Sequence, residues 1–146
     1  MNNSPIAAGV VAIHITGTSA KCSAGDNIDS PRWRNLAERY QPFFEDMKID
    51  NHWKDILLLC PEGSIVYTVE RNEDLGQFLD RELLNTSGLT KAFQQLQNNP
   101  NKEIAFVDFS PYEPLGGTQT AFMMARLFMG EEHIGHIAFS IDINDL

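Results

Sequence analysis

Residues 55–69 read DILLLCPEGSIVYTV, and this stretch decides the fold. Four consecutive apolar residues, Ile56 to Leu59, are too few for a membrane span and suit a buried strand. Pro61, Glu62 and Gly63 make a turn, because proline presets one backbone angle and glycine accepts a left-handed one. From Ser64 the chain alternates again in strand fashion, so the whole stretch predicts a β-hairpin.

Working outward toward the N-terminus, the period changes from strand to helix. Ser30 followed by Pro31 is a helix start: a hydroxyl for the N-cap and a proline where no N–H is needed. Trp33, Leu36, Ala37, Tyr40, Phe43, Phe44 and Met47 then recur at helical spacing and predict one broad aromatic face packed on a sheet. Pro42 is expected to kink or split that helix. Further upstream, residues 10–15 (VVAIHI) read as a short strand and residues 16–29 as a Gly-, Ser- and Asn-rich loop. Residues 9–15 and 135–141 share the pattern Gly, any, apolar, Ala, apolar, any, Ile.

Toward the C-terminus, residues 71–84 are mixed and suggest a short helix carrying Leu75, Phe78 and Leu79. Ser87 caps a clear helix with Leu89, Ala92, Phe93 and Leu96 on one face, stopped at Asn98, Asn99 and Pro100. Three strands follow, at 104–109, 120–129 and 133–143. A Pro- and Gly-containing loop, 110–118, joins the first two, and a tight turn at Gly130 joins the last two. The expected fold class is α+β: a five-stranded antiparallel sheet with a long N-terminal helix and a helical crossover. Residues 1–30 stand apart as an unassigned N-terminal segment, and 31–146 form one domain.

Composition narrows the function classes. The net charge is −9, from 11 basic and 20 acidic residues with no basic cluster, which argues against nucleic acid and against an anionic membrane surface. No run approaches the ~20 apolar residues of a membrane span, so any anchors belong to a parent protein. The two cysteines, Cys22 and Cys60, could pair or stay buried as thiols. His133 and His136 are three apart in a strand, which places them on opposite faces, and no metal or cofactor motif is found. Catalytic motifs are absent as well, so the chain is not read as an enzyme.

The middle and end of the chain resemble the Cache family, PAS-like sensor domains found in bacterial methyl-accepting chemotaxis receptors, histidine kinases and cyclases. The resemblance rests on the hairpin 55–69 followed by Arg71, Asp74 and Gly76, on FVDFSPYEP at 106–114 followed by Gly117, Ala121 and Phe122, and on the closing strand IGHIAFSIDI at 134–143. Cys60 stands where the family usually has Asp, Arg126 where Pro is expected, and Gln119 in place of a second Pro.

The resemblance implies a PAS-like fold and an extracytoplasmic, periplasmic sensor of a membrane-anchored receptor. Such a sensor binds a small molecule such as an organic or amino acid, and can form a homodimer through its N-terminal helix. The alternative is a cytosolic PAS-like dimerisation domain; a small hydrolase using Asp108 is a third reading.

Strand alternation selects the candidate ligand residues. Phe106, Asp108 and Ser110 should share one face, and Thr120, Phe122, Met124, Arg126 and Phe128 another. Asp108 and Arg126 are charges inside apolar strands, each needing a ligand, each other, or solvent. Tyr67 in the hairpin and Tyr112 in the proline-rich loop could offer an apolar wall with one polar tip, or simply pack. Arg71 follows the hairpin, as the family's basic residue does. The candidate set is therefore Tyr67, Arg71, Asp108, Tyr112, Phe122 and Arg126.

Overall fold

The computed structural model describes residues 30–145. The strand expected at residues 10–15, its similarity to 135–141, and Cys22 lie outside the described residues.

Helix α1 spans Pro31–Asp50. The Ser30 hydroxyl accepts from the Trp33 N–H at 3.2 Å, satisfying one of the N–H groups the first turn cannot pair itself. Pro42 does not split the helix. It sits on the exposed side, one turn after an equally exposed Glu38 whose carbonyl can turn to water. Trp33, Ala37 and Phe44 are fully buried against Ile56, Leu58, Val66 and Tyr67 of the hairpin.

The hairpin pairs β1 (Asp55–Leu59) with β2 (Ile65–Thr68). Its residues are buried on both sides because the sheet is covered on both faces. Ile56 and Leu58 face α1, whereas Leu57 and Leu59 face the second helix. Gly63 turns the chain with φ +97°, a conformation a Cβ would strain.

Residues 71–87 form no helix, contrary to the sequence reading, and run instead as successive turns. Their backbone hydrogen-bonds to the hairpin: Ile65 N–H to Gln77 O at 2.9 Å, Gly76 N–H to Ile65 O at 2.9 Å, and Leu79 N–H to Gly63 O at 3.0 Å. Left-handed backbone at Arg71 and Gly76 allows this path. Pairing with the free edge of β2 supplies hydrogen bonds that an isolated short helix would have to find internally.

Helix α2 spans Gly88–Asn98, with Ser87 accepting from Thr90 N–H at 3.2 Å. Leu89, Ala92 and Leu96 bury its apolar face against the sheet. Gly88 brings the helix start so close that a Cβ there would lie 3.3 Å from Phe122, Ser110 and Val107.

The meander is β3 (Ile104–Tyr112), a 3₁₀ turn (Glu113–Leu115), β4 (Thr118–Met129) and β5 (Glu132–Asp142). The sheet order is β2-β1-β5-β4-β3, and every pairing is antiparallel. The loop expected at 110–118 is shorter than read. Ser110, Pro111 and Tyr112 stay in β3, opposite Thr120, Gln119 and Thr118.

A register shift between Val107 and Ser110 also breaks the expected common face. Phe106 and Asp108 are exposed, whereas Ser110 lies beside Gly88 on the α2 side. One extra residue in a strand reverses the parity of everything beyond it.

Candidate ligand site

The face of the sheet beneath α2 carries a buried polar cluster at the end nearest residues 71–74. Asp55 opens β1 on this face and is 3% exposed. Its Oδ1 accepts from Ile56, Val69 and Glu70 N–H groups at 2.8, 3.0 and 3.1 Å. Asp74, 1% exposed, comes from the turn segment. Its Oδ2 accepts from the Tyr112 hydroxyl at 2.8 Å, and its Oδ1 has no hydrogen-bond partner. Ser140, opposite Asp55 on β5, is buried with an unpartnered hydroxyl. Phe122 meets the Tyr112 ring edge-on at 4.8 Å.

Two carboxyl groups out of water beside each other are electrostatically costly. Burial raises the Asp55 pKa to about 7, and the neighbouring Asp74 adds to the rise. The Glu70 and Ile56 N–H bonds pull it back only partly. Burial raises Asp74 as well, against the Tyr112 bond and the nearby N–H groups of Asp74 and Leu75. The Tyr112 hydroxyl is pushed far up by burial and by Asp74, so it stays a donor. Among the described residues no basic side chain pairs with either carboxyl group. Lys54 and Lys48 engage other acids, Asp142 at 3.8 Å and Glu70 at 3.0 Å.

The six residues singled out from sequence do not form one site. Tyr112 and Phe122 belong to this cluster. Tyr67 lies on the opposite face, donating to Gln41 Oε1 and packing on Phe44. Arg71 is exposed on that same side, its guanidinium 5.3 Å over the Trp33 ring. Asp108 is exposed, and its carboxylate accepts from the next N–H at 2.7 Å. It does not meet Arg126.

Arg126 instead closes the end of α2, donating to the carbonyls of Leu96, Asn99 (3.1 Å) and Lys102 (2.8 Å). A cation there satisfies carbonyls the helix leaves open and opposes the negative end of its dipole. Arg126→Met keeps most of the aliphatic stem, and is expected to cost about 1–3 kcal/mol through those carbonyls. A urea midpoint equal to the wild type's would show that water replaces the guanidinium at no cost.

Asp55, Asp74 and Ser140 were not singled out as site residues. Each carried a weak signal: a lone acid at the head of an apolar strand, an acid two residues before a turn glycine, and one hydroxyl inside an apolar strand.

No family model matches the chain, and no curated protein matches it. Solved structures do. The sensor domain of the V. cholerae histidine kinase DctB superposes with a TM-score of 0.55 at 14% identity, over 99% of this chain and 53% of that one. The sensory domain of the Campylobacter jejuni chemoreceptor Tlp3 gives 0.50 at 10% identity, over 94% and 52%. A domain of a sensory box/GGDEF family protein from Vibrio parahaemolyticus gives 0.50 at 12%, over 91% and 51%. The chain spans about half the length of each. At these identities the similarity establishes the fold alone, the α+β, PAS-like architecture of a five-stranded antiparallel sheet with a long N-terminal helix.

Proposed function

We propose that this chain is the ligand-sensing module of a membrane-anchored bacterial receptor, with no catalytic role, and that its ligand carries a protonated amine. The observation that carries the reading is Asp74 Oδ1, buried without a partner beside the buried Asp55. A site with two carboxyl groups and no cation of its own is completed by a cation. An ammonium group offers donors for Asp74 Oδ1 and the Ser140 hydroxyl, and its charge offsets the acid pair. Of the small metabolites expected from sequence, amino acids and amines suit the cluster. An acid without an amine would bring a negative charge to carboxyl groups whose ionisation burial already disfavours.

The folds above support the receptor setting. Among the described residues no helix is long and apolar enough to cross a membrane; in this reading the anchors belong to other segments of the parent protein. Ligand entry requires residues 71–87 to move off the sheet. The segment is built of turns and can shift without unravelling a helix or strand. A ligand touching Asp55, Asp74 and Tyr112 together would favour the closed arrangement by its differential affinity. A homodimer through α1 would use that helix's charged outer side, since its aromatic side packs on the sheet.

The test is a thermal-shift panel of amines, amino acids and amine-free organic acids. An amine-bearing ligand at a hundredfold excess over Kd is expected to add about 2.7 kcal/mol, a shift of several degrees. That shift should vanish in Asp74→Asn, which keeps the Tyr112 contact but removes the charge. Shifts produced by amine-free acids, or an amine shift that survives Asp74→Asn, would refute the reading.

A further inference from the structure

The opposite end of the same sheet face holds a second polar pocket. By simple alternation His133 and His136 would lie on opposite faces of β5. They do not. The β4–β5 register shifts between Leu127, paired with Gly135, and Phe128, paired with His133. Gly135 takes φ +154°, Ile134 stays on the α1 side, and both imidazoles turn toward the C-terminal end of α2. Their ring centroids are 4.8 Å apart. They line a pocket of about 380 Å³ with Leu96 and Pro100 below and Arg126 and Phe128 beside them.

The hydrogen bonds fix which nitrogen each ring presents. His133 Nε2 lies 2.9 Å from the Gly135 carbonyl. A carbonyl only accepts, so Nε2 carries the hydrogen and Nδ1 of the neutral ring is a bare lone pair. The His136 ring is tied to the Cys60 backbone. Its Nδ1 is buried with no partner, so the tie runs through Nε2. His136 is therefore also left with a bare Nδ1, in a residue 1% exposed.

Two imidazoles side by side at one pocket, one with its outer N–H held by a backbone carbonyl and the other with a buried, unpartnered Nδ1, form an arrangement like that around metal-binding histidines. Rings bound to one tetrahedral ion at ~2.0–2.1 Å have centroids roughly 5 Å apart, close to the separation found here. The positive charge of Arg126 is already engaged by the carbonyls closing α2, and Glu62 offsets only part of its field at His133.

We propose that His133 and His136 bind one divalent transition-metal ion of the zinc, nickel or copper type through their Nδ1 atoms, with the remaining positions open to water or a small anion in the pocket. Neutral imidazole is the ligand these ions favour, whereas magnesium and calcium prefer oxygen. The site is independent of the Asp74 cluster and of any ligand bound there.

The test is calorimetric titration of the tag-free chain with Zn²⁺ and Ni²⁺, alongside His133→Gln and His136→Gln. The expected result is one ion per chain, with affinity falling at least about tenfold in either variant. Heat no greater than dilution overturns the proposal, as does binding that is unchanged in both variants. His136 is buried, so its variant could unfold. The ring nitrogens of the unsubstituted protein provide a measurement that does not depend on it. On adding Zn²⁺ the ¹⁵N resonances of Nδ1 in both rings should move while the Nε2 signals keep their protonated positions. Unmoved Nδ1 signals would rule the site out.

Discussion

Replacing Trp33 with alanine is expected to lower the unfolding free energy by about 3–5 kcal/mol, the range for removing a large aromatic from a core. Trp33 is fully buried, and its indole N–H donates to the Val66 carbonyl at 2.9 Å. The Arg71 guanidinium covers the ring, and the residue's own N–H is the one capped by Ser30. One side chain thus joins the start of α1 to the middle of the hairpin and to Arg71 just beyond it. Alanine would leave a cavity and an unpaired buried carbonyl together. Trp33→Phe separates the two terms, since it fills most of the volume and loses only the hydrogen bond, at about 1–3 kcal/mol. Chemical denaturation of both variants gives the comparison. A Trp33→Ala protein within 1 kcal/mol of wild type would mean that α1 is not part of the cooperative core. Because α1 lies across the sheet from the Asp74 cluster, Trp33→Phe should leave any amine-induced thermal shift intact.

The helix that Trp33 anchors was legible because its signals are local. A serine and proline mark the start, and aromatic residues recur every three or four positions. The hairpin was legible for the same reason, and the order of elements then left few ways to build the sheet. What failed was parity. The period of two holds only while no residue is inserted, and β3 and β4–β5 each carry a shift. The first sends Asp108 to solvent and Ser110 inward; the second brings His133 and His136 together. Residues 71–84 failed differently. Their mixed pattern was read as a weak helix, but the competing partner, the free edge of β2, lies outside any local window. The acid pair is a product of topology. Asp55 and Asp74 meet because that segment folds back over the head of β1, and nothing in either stretch alone announces it. Tyr112 was chosen for a loop position it does not occupy, and Arg126 for a charge that turns out to serve a helix end.

The acid pair has a consequence for pH that runs against the usual behaviour of carboxylates. A paired or hydrogen-bonded carboxylate normally has a lowered pKa, and stability falls on acidification. Asp55 is shifted the other way, from 3.8 to about 7. Between those values the folded chain binds a proton that the unfolded chain releases. The stability from this group is therefore full below about pH 4 and is lost as pH rises through about 7. A shift of that size corresponds to roughly 4 kcal/mol at 1.36 kcal/mol per unit. Asp55→Asn removes the ionisation while its amide oxygen can still accept the Ile56, Val69 and Glu70 N–H groups. Its new NH₂ can also donate toward Asp74. The melting temperature of Asp55→Asn minus that of wild type should therefore climb between pH 4.5 and pH 8, by about 10 °C for a chain of this length. Ionisable groups not coupled to Asp55 cancel in the difference, whereas Asp74, its neighbour, is relieved of a like charge and adds to the same trend. A flat difference would mean that Asp55 titrates in the folded protein as it does unfolded. The same measurement bears on the ligand: an ammonium group bound between the acids favours their charged forms. A saturating amine should then flatten the alkaline loss of stability in the wild type and have little left to correct in Asp55→Asn.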